Sequence, residues 1–210
     1  MTSSAVTSPL TLRVEDLALS PDFRPLQGLR GVAHDLRYVG SNNFAGVSLY
    51  GQLDCAWLRR EAAEALESAA LWLHEHHPGW RILVLDALRP QRVQEAIWRD
   101  VVGTPAQSYF ANPVSGSIHS WGMAVDATLQ DASGAEIDMG SGYDEMHERS
   151  HPELHAQLLA SGALQPHHVR RRGLLLQAMV HGGFQGIGNE WWHFDLGDRQ
   201  QVRRTLPRVL

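Results

Sequence analysis

An α+β fold is predicted for this chain by three observations. Strand-like apolar runs are short and few, helical segments sit in groups rather than alternating regularly with strands, and no βαβ unit or other repeat recurs. A length of 210 residues favours one domain with a full core.

Each element follows from its own pattern. Residues 1–53 are rich in Ser, Pro, Gly and Asn, show no sustained helical period, and read as an arm and loops with short strands, among them LRYVGSNNFAGVSLYG at 36–51. Asp54 is placed to cap a helix whose apolar positions Leu58, Ala62, Ala65, Leu66, Ala69 and Leu73 recur at three- and four-residue steps, and Pro78-Gly79 ends it. WRILVLDA at 80–87 is an apolar run bounded by turn residues, the pattern of a buried strand. Pro90 suits the first position of the next helix, 90–101, which has Val93, Ala96, Ile97 and Val101 on one face. Arg89 therefore lies where a strand feeds a helix. After a loop from Gly103 to Gly116, Ile118, Met123, Val125 and Leu129 support a broken strand. Helices at about 152–161 and 166–181 are stopped by Gly162 and Gly182-Gly183, and GNEWWHFDL (188–196) reads as the last strand.

Composition narrows the function classes. Hydrophobic content of 43% and charged content of 20% describe a soluble globular chain, and 18 basic against 23 acidic residues leave a net charge of −5, so there is no electrostatic footprint for nucleic acid. No stretch approaches the roughly 20 apolar residues needed to cross a bilayer. The first residues lack a basic region, and Arg13, Glu15 and Asp16 interrupt any apolar run, so a cytoplasmic chain, or a processed mature form, is expected. Cys55 is the single cysteine, which excludes an internal disulfide and a multi-cysteine zinc site. With 12 histidines, any metal would rest on His with Asp or Glu.

Two stretches carry the chemistry. SIHSWGMAVDATL (117–129) holds His119 and Asp126, which alone also fit a hydrogen-bonded structural pair. Glu190-Trp191-Trp192-His193 changes the balance. His119, Asp126 and His193 would leave one position of a tetrahedral zinc ion open, as a catalytic site requires, with Glu190 near the ion but not bound to it. Zinc lowers the pKa of its water from 15.7 to about 7 and polarises a carbonyl, and a nearby carboxylate can then move the protons. Three-residue spacing puts Glu190 and His193 on opposite faces of a regular strand, so a bulge, turn or strand end is required, made plausible by Gly186 and Gly188. Gly122 is expected to turn the backbone so that His119 and Asp126 meet.

These motifs, S-x-H-x6-D from Ser117 to Asp126 and E-x-x-H as EWWH, resemble those of the zinc D-alanyl-D-alanine dipeptidases of the vancomycin-resistance type, within the wider D,D-peptidase and Hedgehog-like metallopeptidases. SNNFAG (41–46), LRPQR (88–92) and DMGSGYDEMHERSH (138–151) extend the resemblance over about 38–196. It implies a single zinc peptidase domain with a small central antiparallel sheet flanked by helices: N-terminal arm and loops 1–35, catalytic core 36–196, C-terminal tail 197–210. It implies further that one zinc ion is held by His119, Asp126 and His193, that Glu190 is the general base, and that Arg89 stabilises the oxyanion. A fixed guanidinium in that role contributes on the order of 3 kcal/mol; the plainer alternative for Arg89 is a surface salt bridge at a helix start. In the substrate site, Asp144 is expected to meet the free amino group of a small D,D-dipeptide and Ser117 its carboxylate, although either could be a turn or cap residue. Tyr143 and the tryptophan pair shape the pocket.

Other readings stay open at this point. A D,D-carboxypeptidase or another cell-wall peptide hydrolase would use the same residues. Two histidines and a carboxylate also make the facial triad of non-haem iron oxygenases, which leaves Glu190 without a task. A non-catalytic zinc-binding module would be indifferent to Glu190. Elsewhere, HEHH (74–77) is expected to close an exposed helix, and Pro152 breaks the four-residue spacing of His147, His151 and His155. His167, His168 and His181, with Arg170–Arg172, are expected on a solvated face, and Cys55 in the core.

Overall fold

The computed structural model describes residues 12–210. Its strands are β1 (Phe23–Pro25), β2 (Val32–His34), β3 (Trp57–Arg59), β4 (Arg81–Asp86), β5 (Ala124–Gln130), β6 (Phe184–Gly186) and β7 (His193–Leu196). Its helices are α1 (Arg60–His76), α2 (Gln91–Val101), α3 (His155–Ala160), α4 (Pro166–His181) and α5 (Arg199–Thr205). A five-stranded sheet runs in the order β2-β4-β5-β7-β6, and β1 pairs with β3 in a separate ribbon. The α+β class is as expected, and β4 to β7 pair antiparallel. The edge strand β2 departs from the expectation of an antiparallel sheet by pairing parallel to β4. The connection between them passes through β3 and the 17-residue α1, a crossover long enough to return the chain in the same direction.

β4 is buried from Ile82 to Asp86 and β5 from Ala124 to Leu129, because helices and loops cover both faces of the sheet centre. α1 buries Ala62, Ala63, Leu66, Ala69, Ala70 and Leu73 along one stripe, and α4 packs against it. α1 starts at Arg60 rather than after Asp54. The Asp54 carboxylate instead accepts from the Ala56 N–H and the Trp57 indole, and Leu58 enters β3. Residues 36–51 form turns, not strands. The Asn43 amide donates to the carbonyls of Arg37, Gly40 and Val47, so a side chain satisfies backbone groups that a strand would have paired.

The first helix of the 152–161 pair begins as a 3-10 turn over Pro152–Leu154 before α3. In 188–196 only His193–Leu196 is strand. Arg172 is a correction: it is buried, with its guanidinium donating to the carbonyls of Met139 and Arg149 and to the Ser141 hydroxyl, so it braces the 139–150 loop instead of facing solvent. Residues 1–11 of the expected arm lie outside the described residues. The segment 197–210 holds α5, capped by Asp198, and Val209 is buried with its N–H bonded to the Ser120 carbonyl. This end of the chain is therefore tied to the turn that carries His119. Among the described residues no helix is long and apolar enough to cross a membrane.

Candidate active site

Strand register lines up three of the polar side chains. Asp86 pairs with Asp126 across β4 and β5, and Asp126 pairs with His193 across β5 and β7, making a row over three neighbouring strands. His119 reaches the row from the 3-10 turn Ile118–Trp121, which Gly122 closes at φ +68°. A Cβ at Gly122 would stand 3.0 Å from the Arg59 backbone nitrogen and 3.0 Å from the Phe23 ring, so both conformation and space demand glycine. The expected turn between His119 and Asp126 is present.

The three side chains converge. His119 Nε2 is 3.2 Å from His193 Nδ1 and 3.3 Å from Asp126 Oδ1, and His193 Nδ1 is 2.9 Å from Asp126 Oδ1. Ligands on a tetrahedral zinc ion at about 2.0–2.1 Å stand about 3.3 Å apart, so the donor set and its spacing fit one such ion. The other ring nitrogens fix the tautomers. His119 Nδ1 lies 2.7 Å from the Ala87 carbonyl, which only accepts, so Nδ1 carries the proton and Nε2 presents its lone pair. His193 Nε2 is held at 3.0 Å by Asp195, which Arg199 Nε grips at 2.5 Å. Burial works against charge on Asp126, yet His119 and His193 outweigh it and hold the carboxyl well below the usual range. Burial likewise opposes a charged His193, but Asp195 and Asp126 outweigh it and raise the proton affinity of the ring.

Glu190 lies in the irregular backbone before β7, as the E-x-x-H spacing required, and lines the same cleft of about 230 Å³. Burial pushes its carboxyl up to about 7, with His193 pulling the other way. Arg89 is buried at the end of β4. Its Nε and Nη2 bind Asp86 Oδ2 at 3.0 and 2.7 Å, and Nη2 is 3.5 Å from Asp126 Oδ2. The surface salt bridge considered for Arg89 is therefore not what the fold builds; the guanidinium is fixed inside the cleft wall.

Ser117 and Asp144 both line the cleft. Ser117 precedes the 3-10 turn without using its side chain as a cap. Asp144, at φ 56°, is the one non-glycine residue with positive φ among the described residues, a strained conformation of the kind held at functional positions. Burial and the charge of Asp126 push its carboxyl up to about 8. Tyr143 is absent from the cleft wall; its hydroxyl donates to Asp126 Oδ2 at 3.1 Å, and its ring meets Trp192 edge-on. His74, His76 and His77 end α1, with His76 stacked on Trp72, and Cys55 is buried.

Sequence reasoning missed Asp86 and Asp195. Asp195 had a signal, since a carboxylate two residues after His193 shares its face on a strand. Asp86 had none beyond its position three residues before Arg89.

A three-donor site with an open side, and a free carboxylate at that side, is organised for metal-dependent hydrolysis rather than for a closed structural ion. The chain belongs to the M15 peptidases: residues 22–209 match the family model described as D-ala-D-ala dipeptidase. It is 39% identical over 163 residues to the D-alanyl-D-alanine dipeptidase of Escherichia coli (strain K12), covering 77% of each chain. It is 35% identical over 205 residues to the D-alanyl-D-alanine dipeptidase of Synechocystis sp., covering 83% of this chain and 80% of that one. Among solved structures, the LdcB LD-carboxypeptidase matches with a TM-score of 0.48 at 15% identity, over 88% of this chain and 72% of the other. The protein is a metallopeptidase of the dipeptidase kind.

Proposed function

We propose that this chain hydrolyses free D-alanyl-D-alanine with one zinc ion held by His119, Asp126 and His193. The observation that supports it best is the convergence of these three donors beside Glu190, in a cleft small even by the standard of small-molecule pockets. When bound, zinc would polarise the peptide carbonyl and lower the pKa of its water from 15.7 to about 7. Glu190 takes the proton of the attacking water and returns one to the departing amine; a carboxyl near neutrality suits both transfers. Arg89, oriented by Asp86, faces the charge that develops on the carbonyl oxygen and needs no reorganisation to do so. Asp144 receives the substrate ammonium and Ser117 its carboxylate. Tyr143 positions Asp126 rather than touching substrate. The oxygenase reading gives Glu190 no such work.

Metal analysis with a peptide panel tests this. One equivalent of zinc and hydrolysis of D-alanyl-D-alanine, with L-alanyl-L-alanine untouched, are expected. Release of D-alanine only from a muramyl pentapeptide would make the enzyme a carboxypeptidase instead.

Asp144 sets a pH dependence. With its carboxyl at about 8 in the free enzyme, the form that can bind an ammonium is scarce at pH 6 and predominates by pH 9. A bound ammonium favours the ionised form, but the free dipeptide loses its own α-ammonium, of ordinary pKa about 8, over the same range, so kcat/KM is expected to rise from pH 6 to a maximum near 8 and fall beyond it while kcat changes less. Asp144→Asn should lower kcat/KM and remove the contribution of this carboxyl to the rise on the acid side of the maximum. An unchanged pH profile in the variant would reject the role. The same group affects stability. A folded pKa raised above the ordinary 3.8 means the native state holds the extra proton, so stability is lost as pH climbs from about 4 to 8, and Asp144→Asn should raise Tm at pH 8.

A further inference from the structure

The cleft has a second charged end that the reading so far leaves without a task. Arg199 and Arg203, one helical turn apart on α5, both line it. The hydrogen-bond chain Tyr143–Asp126–His193–Asp195–Arg199 runs from the Asp144 loop through the metal-site residues to this helix. Arg199 is neutralised by Asp195. Arg203 has no carboxylate partner among the described residues; Nη2 donates to the Gly116 carbonyl at 3.0 Å, and Nε is buried with no hydrogen-bond partner. Nη1 is neither buried nor hydrogen-bonded among the described residues, so it is the donor left for an incoming acceptor.

Gly116 is the residue before Ser117, so the guanidinium is anchored to the segment that carries this second cleft-lining side chain. The cleft thus carries an acid, an uncompensated arginine and the three-donor group, and the hydrogen-bond chain runs from the loop of the acid through the donors to the helix of the arginine. That polarity matches a zwitterionic dipeptide lying with its scissile bond over the metal-site residues. Arg203 also borders a second cavity, lined by Gln185, Gly186 and Gln200 among others, that opens beyond it. A peptide continuing past the residue after the scissile bond would have to displace this side chain.

We infer that Arg203 is the anchor for the free C-terminal carboxylate of the substrate, and that it limits hydrolysis to peptides ending one residue beyond the cleaved bond. This rests on the dipeptidase reading. The carboxylate would accept from Nη1, which makes no hydrogen bond among the described residues, in a charge-assisted bond from a guanidinium that the Gly116 carbonyl holds in place and that lysine matches only in part.

The test compares D-alanyl-D-alanine with its C-terminal amide, on zinc-loaded full-length enzyme. The wild type is expected to favour the acid by about 100-fold in kcat/KM, the scale of one buried charge pair. Arg203→Gln should raise KM for the acid by about 10- to 100-fold at nearly unchanged kcat and bring the acid-to-amide ratio close to one. Arg203→Lys, which keeps the charge, should give an intermediate ratio and carries the test if the glutamine variant fails to fold. An acid-to-amide ratio unchanged in the substituted enzyme, even with weaker overall activity, would overturn the anchor while leaving the dipeptidase reading intact. A wild type that cleaves neither peptide would overturn both.

Discussion

Glu190→Gln is expected to lower kcat on D-alanyl-D-alanine by about 10²- to 10⁴-fold, the scale of a lost general base, with zinc still bound at one equivalent. The substitution keeps the shape of the side chain and removes only its ability to take a proton. Glu190 is not among the three converging donors, so metal content should hold. Stability should hold as well. With its folded pKa raised from 4.5 to about 7, the native state carries an extra proton between those values, and stability falls as pH rises through that window. A neutral glutamine does not suffer this loss, so Tm at pH 8 should match or exceed that of the parent. Kinetics, metal content and melting measured on one preparation separate the alternatives: retained turnover would mean that Glu190 is not the base and would sink the mechanism.

His119→Ala should act at a different level, by removing the metal. His119 supplies one of three donors from a buried turn, and its orientation depends on the Ala87 carbonyl. Loss of an outer partner such as Asp195 typically weakens metal binding by about 10- to 100-fold, and loss of a donor itself should exceed that. Competition with a chelator should show the Ala variant empty under conditions where Asp195→Asn is only weakened and recovers activity in added zinc. An Ala variant that retains a full equivalent of zinc would remove His119 from the site. The two variants together distinguish chemistry from metal retention: one keeps the ion without turnover, the other loses both.

Much of the site was legible because its residues sit in short motifs at spacings with geometric consequences. S-x-H-x6-D required a turn, and Gly122 supplies it; E-x-x-H required irregular backbone, and Glu190 lies in the irregular stretch between β6 and β7. Arg89 was marked by its place between a strand and a helix. Asp86 and Asp195 are ordinary carboxylates in apolar strands, and their importance arises only when register sets them beside Arg89 and His193. Local signals also misled where distant partners competed. Asp54 looked like a helix cap, but pairing between β1 and β3 draws residues 57–59 into a strand. Arg172 looked solvated by composition, yet the carbonyls of the 139–150 loop turn toward it and bury its charge.

The sequence by itself determined the class of fold, the main helices, the central strand at 80–87 and the candidate set of two histidines and one carboxylate with a second carboxylate proposed as base. These rest on periodicity and on residue types that few other chemistries need. Tertiary structure alone decided the parallel edge strand, the row from Asp86 to His193, the tautomer of His119 and the approach of α5 to the cleft. Each depends on contacts between residues tens of positions apart, and the free energy of such a contact is set by who is buried beside whom, which no local window contains.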